Sequence, residues 1–229
     1  MTKMMMKDLF KISANLMTIL RIILVFLLLP LLYSAHQNDY AIRWDLDKSR
    51  QTFSAIFVCS ALTDYLDGYI ARKFKQQTLF GKCFDPIADK LLVIISFLYL
   101  HILSKDGCLL STENGNKKIS FYVMLILIVI ILRDFLIMGM RILMAFEKNE
   151  KIVASFWGKS KTFLNFISII FLLFAKDVEQ VIGSNTIIHI ITVFSMVNII
   201  LVILSAIAYI RINYHVISKN FFIKVKNKN

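Results

Sequence analysis

Cysteine and histidine are sparse and unclustered in this sequence. Cys59, Cys83 and Cys108 lie far apart and are odd in number, which excludes a paired disulfide framework and offers no metal-ligand spacing. They read as reduced, structural thiols. His36, His101, His189 and His215 are scattered, and none has a partner at ligand spacing, so no imidazole chemistry is expected. Internal repeats and low-complexity linkers are also missing, and residues 1–229 read as a single domain. No small-residue cleavage site follows the apolar run behind Lys3, Lys7 and Lys11, so that run does not read as a removable signal.

Acidic residues are the minority charge: 15 Asp and Glu stand against 27 Lys and Arg, for a formal net charge of +12. A basic excess can point to nucleic acid. Here, however, the bases lie between long apolar blocks, so the expected partner is an anionic lipid surface and no nucleic acid.

What the sequence has in abundance is hydrophobic length. Apolar residues make up 58% of the chain and the mean hydropathy is +0.68. A bilayer crossing needs about 20 apolar residues. Six blocks, near 15–35, 52–72, 86–104, 120–145, 160–176 and 186–210, answer to that description. The expected fold is an all-α, polytopic membrane bundle of about six transmembrane helices.

Basic residues set the expected orientation. Lys3, Lys7, Lys11, Arg72, Lys73, Lys75, Lys82, Lys148, Lys151, Lys159, Lys161, Arg211, Lys219, Lys224, Lys226 and Lys228 fall at one set of block ends. The opposite ends hold Asp39, Asp45, Asp47, Asp106, Glu113, Asp177 and Glu179. Both termini and the Arg72–Asp89 connection are therefore expected on the cytoplasmic side. The 36–51 loop, with Arg43, Lys48 and Arg50, runs against that count.

The few acids that do sit inside apolar blocks carry the chemistry. Asp64 and Asp67 are spaced i,i+3, with Gly68 and Ala71 continuing that face; after a short basic turn, Gly81, Asp85 and Asp89 repeat at i,i+4. Two antiparallel helices joined by this turn can aim four carboxylates at one point. Carboxylates at membrane depth are costly and functional by default, and four together repel unless cations lie between them. Hard dications such as Mg²⁺ take oxygen ligands and bridge substrate phosphates. Gly68 and Gly81 remove side-chain bulk where a ligand approaches the backbone. Each residue also has a structural reading. Asp85 before Pro86 is a candidate helix cap, Asp64 can pair with a buried base, Asp89 can pair with Lys82 or Lys90, and Gly68 can serve close helix packing.

The pattern Asp64-x2-Asp67-Gly68-x2-Ala71-Arg72-x8-Gly81-x3-Asp85-x3-Asp89 resembles the signature of the CDP-alcohol phosphatidyltransferase family at every fixed position. The resemblance implies that Asp64, Asp67 and Asp85 hold Mg²⁺ or Mn²⁺. Asp89 would be the general base and would also touch the metal. Asn15, Thr18, Gly68, Arg72 and Gly81 would receive the CDP moiety. It further implies six transmembrane helices, a homodimer, and a site on the cytoplasmic side of a bacterial inner membrane.

Flanking segments bear on the acceptor alcohol. Asn15-Leu16-Met17-Thr18-Ile19-Leu20-Arg21, then Arg133-Asp134, Gly139-Met140-Arg141 and Gly158-Lys159-Ser160-Lys161-Thr162 are similar to the phosphatidylglycerophosphate synthases of that family. Ala14 replaces their usual proline, and Asp134 their usual glutamate, a change shared with the related cardiolipin synthases. Arg133, Arg141, Lys159 and Lys161 would form a pocket for an acceptor phosphate. Snorkelling and positive-inside sorting are the structural reading of the same cations, and an Arg133–Asp134 or Asp134–Arg141 pair would account for the deeper ones. The substrates expected are CDP-diacylglycerol and glycerol 3-phosphate. A cardiolipin synthase acting on phosphatidylglycerol is the near alternative. A divalent-cation transporter and a non-catalytic lipid-binding scaffold are the alternatives from other classes.

Overall fold

A computed structural model describes residues 19–35, 46–74, 79–145 and 156–214, with side chains at 19–35, 48–63, 87–140 and 161–214. These residues form seven helices: α1 (Ile19–Ala35), α2 (Leu46–Phe74), α3 (Leu79–Lys105), α4 (Glu113–Ala145), α5 (Phe156–Leu173), α6 (Ala175–Ile182) and α7 (Ser184–Ile212). Among the described residues, Ile87–Lys105, Glu113–Met140 and Ser184–Ile212 are long and apolar enough to cross a membrane, while Ile19–Ala35 and Lys161–Leu173 are shorter apolar helices. The protein is an all-α membrane bundle.

Side chains in the middle of the bundle are close-packed. Leu28, Phe53, Phe57, Leu92, Leu100, Ile119, Ile126, Ile169 and Ile187 are buried in one core, and the Phe53 and Tyr99 rings stack at 3.9 Å. The outer faces of α4 and α7 remain apolar and exposed, with Phe121, Leu132, Phe135, Val193 and Ile200 among the residues that face outward. Helices with lipid around them associate through packing and internal polar bonds, since lipid tails are as apolar as leucine. Both devices are present. Gly115 lets α4 approach α7, where an added Cβ would lie 2.7 Å from Ile188 Cδ1. Buried Asn198 on α7 donates to Ser168 Oγ on α5 at 2.7 Å.

Two expectations about element ends are corrected. Pro86 does not open a helix: α3 begins at Leu79, so Asp85 lies within it and is not its cap. A proline there removes one backbone donor, and the flanking bonds carry the helix through it. The 160–176 block is likewise not continuous. It breaks at Phe174, and the short α6 turns away before Gly183 adopts φ +84°, a backbone region favouring glycine.

The end where α6 lies is laced by polar bonds. Arg50 pairs with Asp177 at 3.2 Å, Ser49 and Tyr99 share a hydrogen bond of 3.1 Å, and buried Glu179 accepts from Ser111 N at 2.8 Å and Ser111 Oγ at 3.0 Å. Arg50, which ran against the charge count as a loop residue, is thus a buried helix residue with a counter-ion. The α3–α4 connection supports the lacing: Gly107 at φ +75° ends α3, with Cys108 N bonding Leu103 O at 2.9 Å. Glu179→Ala strips two donors of their acceptor, a loss of about 1–3 kcal/mol. The expected outcome is a lower melting temperature in detergent with substrate KM unchanged, because this network lies at the bundle end opposite the pocket described next. An altered KM would refute that separation.

Candidate functional site

The opposite end of the bundle gathers charged groups around a cavity. The starts of α3 and α5 and the end of α4 enclose about 350 Å³, lined by Ile87, Asp89, Lys90, Val93, Ile130, Arg133, Asp134, Ile137, Met138, Lys161, Thr162 and Asn165. Alternating helix direction explains the meeting. Asp89 lies early in α3, Arg133 and Asp134 late in α4, and Lys161 early in α5, so an up-and-down bundle brings them to one end. The candidate base and two of the candidate phosphate-binding residues therefore share one cavity.

Asp134 is the hub of the cationic wall. Its Oδ1 accepts from Lys161 Nζ at 2.7 Å and from Arg133 Nη1 at 2.8 Å. All three side chains are largely withdrawn from solvent, at 6% exposure for Lys161 and 15% for both Arg133 and Asp134. Arg133 is fixed a second time, with its Nε donating to Ser205 Oγ on α7 at 3.2 Å. The Arg133–Asp134 pair weighed on sequence is thus present, and Lys161 completes it. These three groups carry one net positive charge, and Lys90 adds another at the rim. An anion entering the cavity meets fixed donors aimed by Asp134 rather than flexible surface lysines.

Asp89 is anchored from α1. Arg21 Nη1 donates to Asp89 Oδ1 at 3.1 Å, with the arginine side chain at 1% exposure and the aspartate at 33%. The sequence reading weighed Lys82, whose side chain lies outside the described set, and Lys90; it did not name Arg21, a partner 68 residues away. Arg21 had entered only as the end of the Asn15–Arg21 segment. The signal for its importance was its chemistry: an arginine inside an apolar block needs a buried partner. Asn165 was missed as well, although it lies one helical turn beyond Lys161 and so on the same face.

Other candidate residues are located by backbone alone. Asp64, Asp67, Gly68 and Arg72 lie on α2, Gly81 and Asp85 on α3, Arg141 on α4 and Lys159 on α5, with side chains outside the described set. Asn15 and Thr18 lie outside the described residues altogether. Helical backbone through 64–67 and through 85–89 keeps each aspartate pair one turn apart on its own helix. His101 is a structural residue: its Nδ1 meets Ser120 Oγ at 3.1 Å.

Residues 11–198 match the family model described as CDP-alcohol phosphatidyltransferase. A Mycoplasma genitalium protein named CDP-diacylglycerol–glycerol-3-phosphate 3-phosphatidyltransferase is 37% identical over 126 residues, 55% of this chain and 46% of that relative. Relatives of the same name from Haemophilus influenzae and Rickettsia typhi are 32% and 34% identical, over 62% and 69% of this chain and 71% and 74% of theirs. The chain thus spans about half the length of the Mycoplasma relative and nearly three quarters of the other two. With the matched segment running through α1 to α6 and into α7, and with the membrane bundle in place, the chain belongs to the CDP-alcohol phosphatidyltransferase family, as an integral membrane transferase of phospholipid biosynthesis.

Proposed function

We propose that the protein transfers a phosphatidyl group from CDP-diacylglycerol to sn-glycerol 3-phosphate, releasing CMP and giving phosphatidylglycerol phosphate. The observation that carries this reading is the cavity in which Asp89 shares a wall with the Arg133–Asp134–Lys161 cluster. Its chemistry is what a phosphorylated alcohol requires: a base for the hydroxyl and donors for the phosphate. The shared name of the relatives supports the same reaction.

Asp89 takes the proton from the C1 hydroxyl of glycerol 3-phosphate. The freed oxygen attacks the phosphorus that bears diacylglycerol. A new P–O bond forms there, the bond to the cytidylate phosphate breaks, and CMP leaves with that bond's electrons. Arg21 holds the Asp89 carboxylate in position from α1. Lys161 and Arg133, with Lys159 and Arg141 toward the helix ends, grip the acceptor phosphate, Arg by its planar fork. Gly68 and Gly81, with Asn15, Thr18 and Arg72, receive the CDP moiety.

An all-carboxylate donor set, paired on each of two helices, fits hard dications and not thiophilic ones. Mg²⁺ or Mn²⁺ held by Asp64, Asp67, Asp85 and Asp89 would supply charge neutralisation at the diphosphate. The protein works as a homodimer in a bacterial inner membrane, one domain per chain, with both termini and the site on the cytoplasmic side.

CMP release by purified protein in detergent with CDP-diacylglycerol and Mg²⁺ tests the reading. Release is expected on adding glycerol 3-phosphate and not on adding phosphatidylglycerol. The reverse result would make the protein a cardiolipin synthase. Metal flux in proteoliposomes free of CDP-lipid would replace the enzyme by a transporter.

A further inference from the structure

Asn165 occupies the cavity wall one turn below Lys161, on the face of α5 turned to the bundle interior. It is 2% exposed, and its Oδ1 is buried without a hydrogen-bond partner among the described residues. A buried amide oxygen in that condition is costly unless something donates to it. Its polar neighbours along α5 bond to other groups. Lys161 Nζ is on Asp134 at 2.7 Å. One turn further on, Ser168 Oγ donates to Leu164 O at 2.8 Å and accepts from Asn198 Nδ2 at 2.7 Å. The terminal torsion of asparagine is broad and roughly two-fold, so the amide can turn toward a ligand at little cost.

The chemistry of the missing donor is constrained. A carbonyl oxygen repels phosphate and carboxylate and accepts from O–H or N–H. In the reaction proposed above, on which this inference rests, glycerol 3-phosphate brings three polar features. Its phosphate goes to Arg133 and Lys161, and its C1 hydroxyl to Asp89. Its C2 hydroxyl is neither charged nor reacting. We propose that Asn165 binds that second hydroxyl and is the residue by which the site selects a glycerol phosphate over other phosphorylated alcohols. A site built to bond a hydroxyl rejects the analogue that lacks it, because the site's own polar group is then left unpaired.

The probe is 3-hydroxypropyl phosphate, which keeps the phosphate and the primary alcohol and lacks the C2 hydroxyl. CMP release is measured with each acceptor, and the ratio of the two kcat/KM values is compared between proteins. Wild type is expected to favour glycerol 3-phosphate by about 10–100-fold, the order a single buried hydrogen bond supplies. Asn165→Leu, close in volume but apolar, brings the ratio to about one by losing activity on glycerol 3-phosphate only, and Asn165→Gln restores part of the preference. Should Asn165→Leu fail to fold, Asn165→Ala is read in the same way. A ratio near one in wild type, or a wild-type ratio retained in the apolar variants, overturns the proposal while leaving the reaction standing. No release from wild type with glycerol 3-phosphate would instead overturn the reaction, and this assignment with it.

Discussion

Asp89→Asn is expected to lower CMP release by about 10²–10⁴-fold, the usual contribution of a positioned general base. The substitution is nearly isosteric and keeps an oxygen to accept from Arg21, so the α1–α3 contact survives while the charge is lost. The loss should fall on kcat, with KM for glycerol 3-phosphate little changed, because the residues proposed to grip the acceptor phosphate, Arg133 and Lys161, lie on other helices. A melting curve of the variant in detergent separates this from unfolding. Turnover at the wild-type rate would remove Asp89 from the proton transfer. A raised KM at constant kcat would instead make it a binding residue.

Much of the bundle was legible because membrane helices announce themselves by apolar length. Six of the seven helices correspond to blocks seen in the sequence. Their ends were less legible, since polar residues continue a helix beyond its apolar stretch: α3 starts at Leu79, ahead of Pro86, and α4 at Glu113. The break at Phe174 could not be read either. The helix that follows it bonds to Arg50 and Ser111, both distant in sequence.

The site was legible in the same uneven way. Helical spacing and alternating direction suffice to bring Asp89, Arg133 and Lys161 to one end of the bundle. Partner choice does not follow from spacing. Arg21 reaches Asp89 from α1, and Lys161 reaches Asp134 on α4 from α5, a helix that packs on α3 and α7. The sequence showed cations that could receive a phosphate, with Asp134 weighed as a partner for Arg133; the structure adds Lys161 to the same carboxylate. That carboxylate changes the energetics of the pocket, because an entering phosphate shares its cations with Asp134 instead of finding them bare.

The consequence is sharpest in Asp134→Asn. Neutralising this group leaves Lys161 and Arg133 buried side by side with no charge between them. Removing one member of a buried ionic network costs about 3–5 kcal/mol. At about 2–4 °C per kcal/mol for a chain of this size, the melting temperature of the ligand-free variant should fall by about 10 °C. A dianionic acceptor then supplies what the aspartate did. Because a ligand stabilises the folded state in proportion to its occupancy there, glycerol 3-phosphate should raise the melting temperature of the variant more than that of wild type. Inorganic phosphate should do so in part, since it matches the charge and lacks the hydroxyls. An unchanged melting temperature would mean that the cluster carries no net charge stabilisation. A large loss that glycerol 3-phosphate does not reverse would move the acceptor phosphate away from Lys161 and Arg133, toward Lys159 and Arg141 at the outer ends of the same two helices.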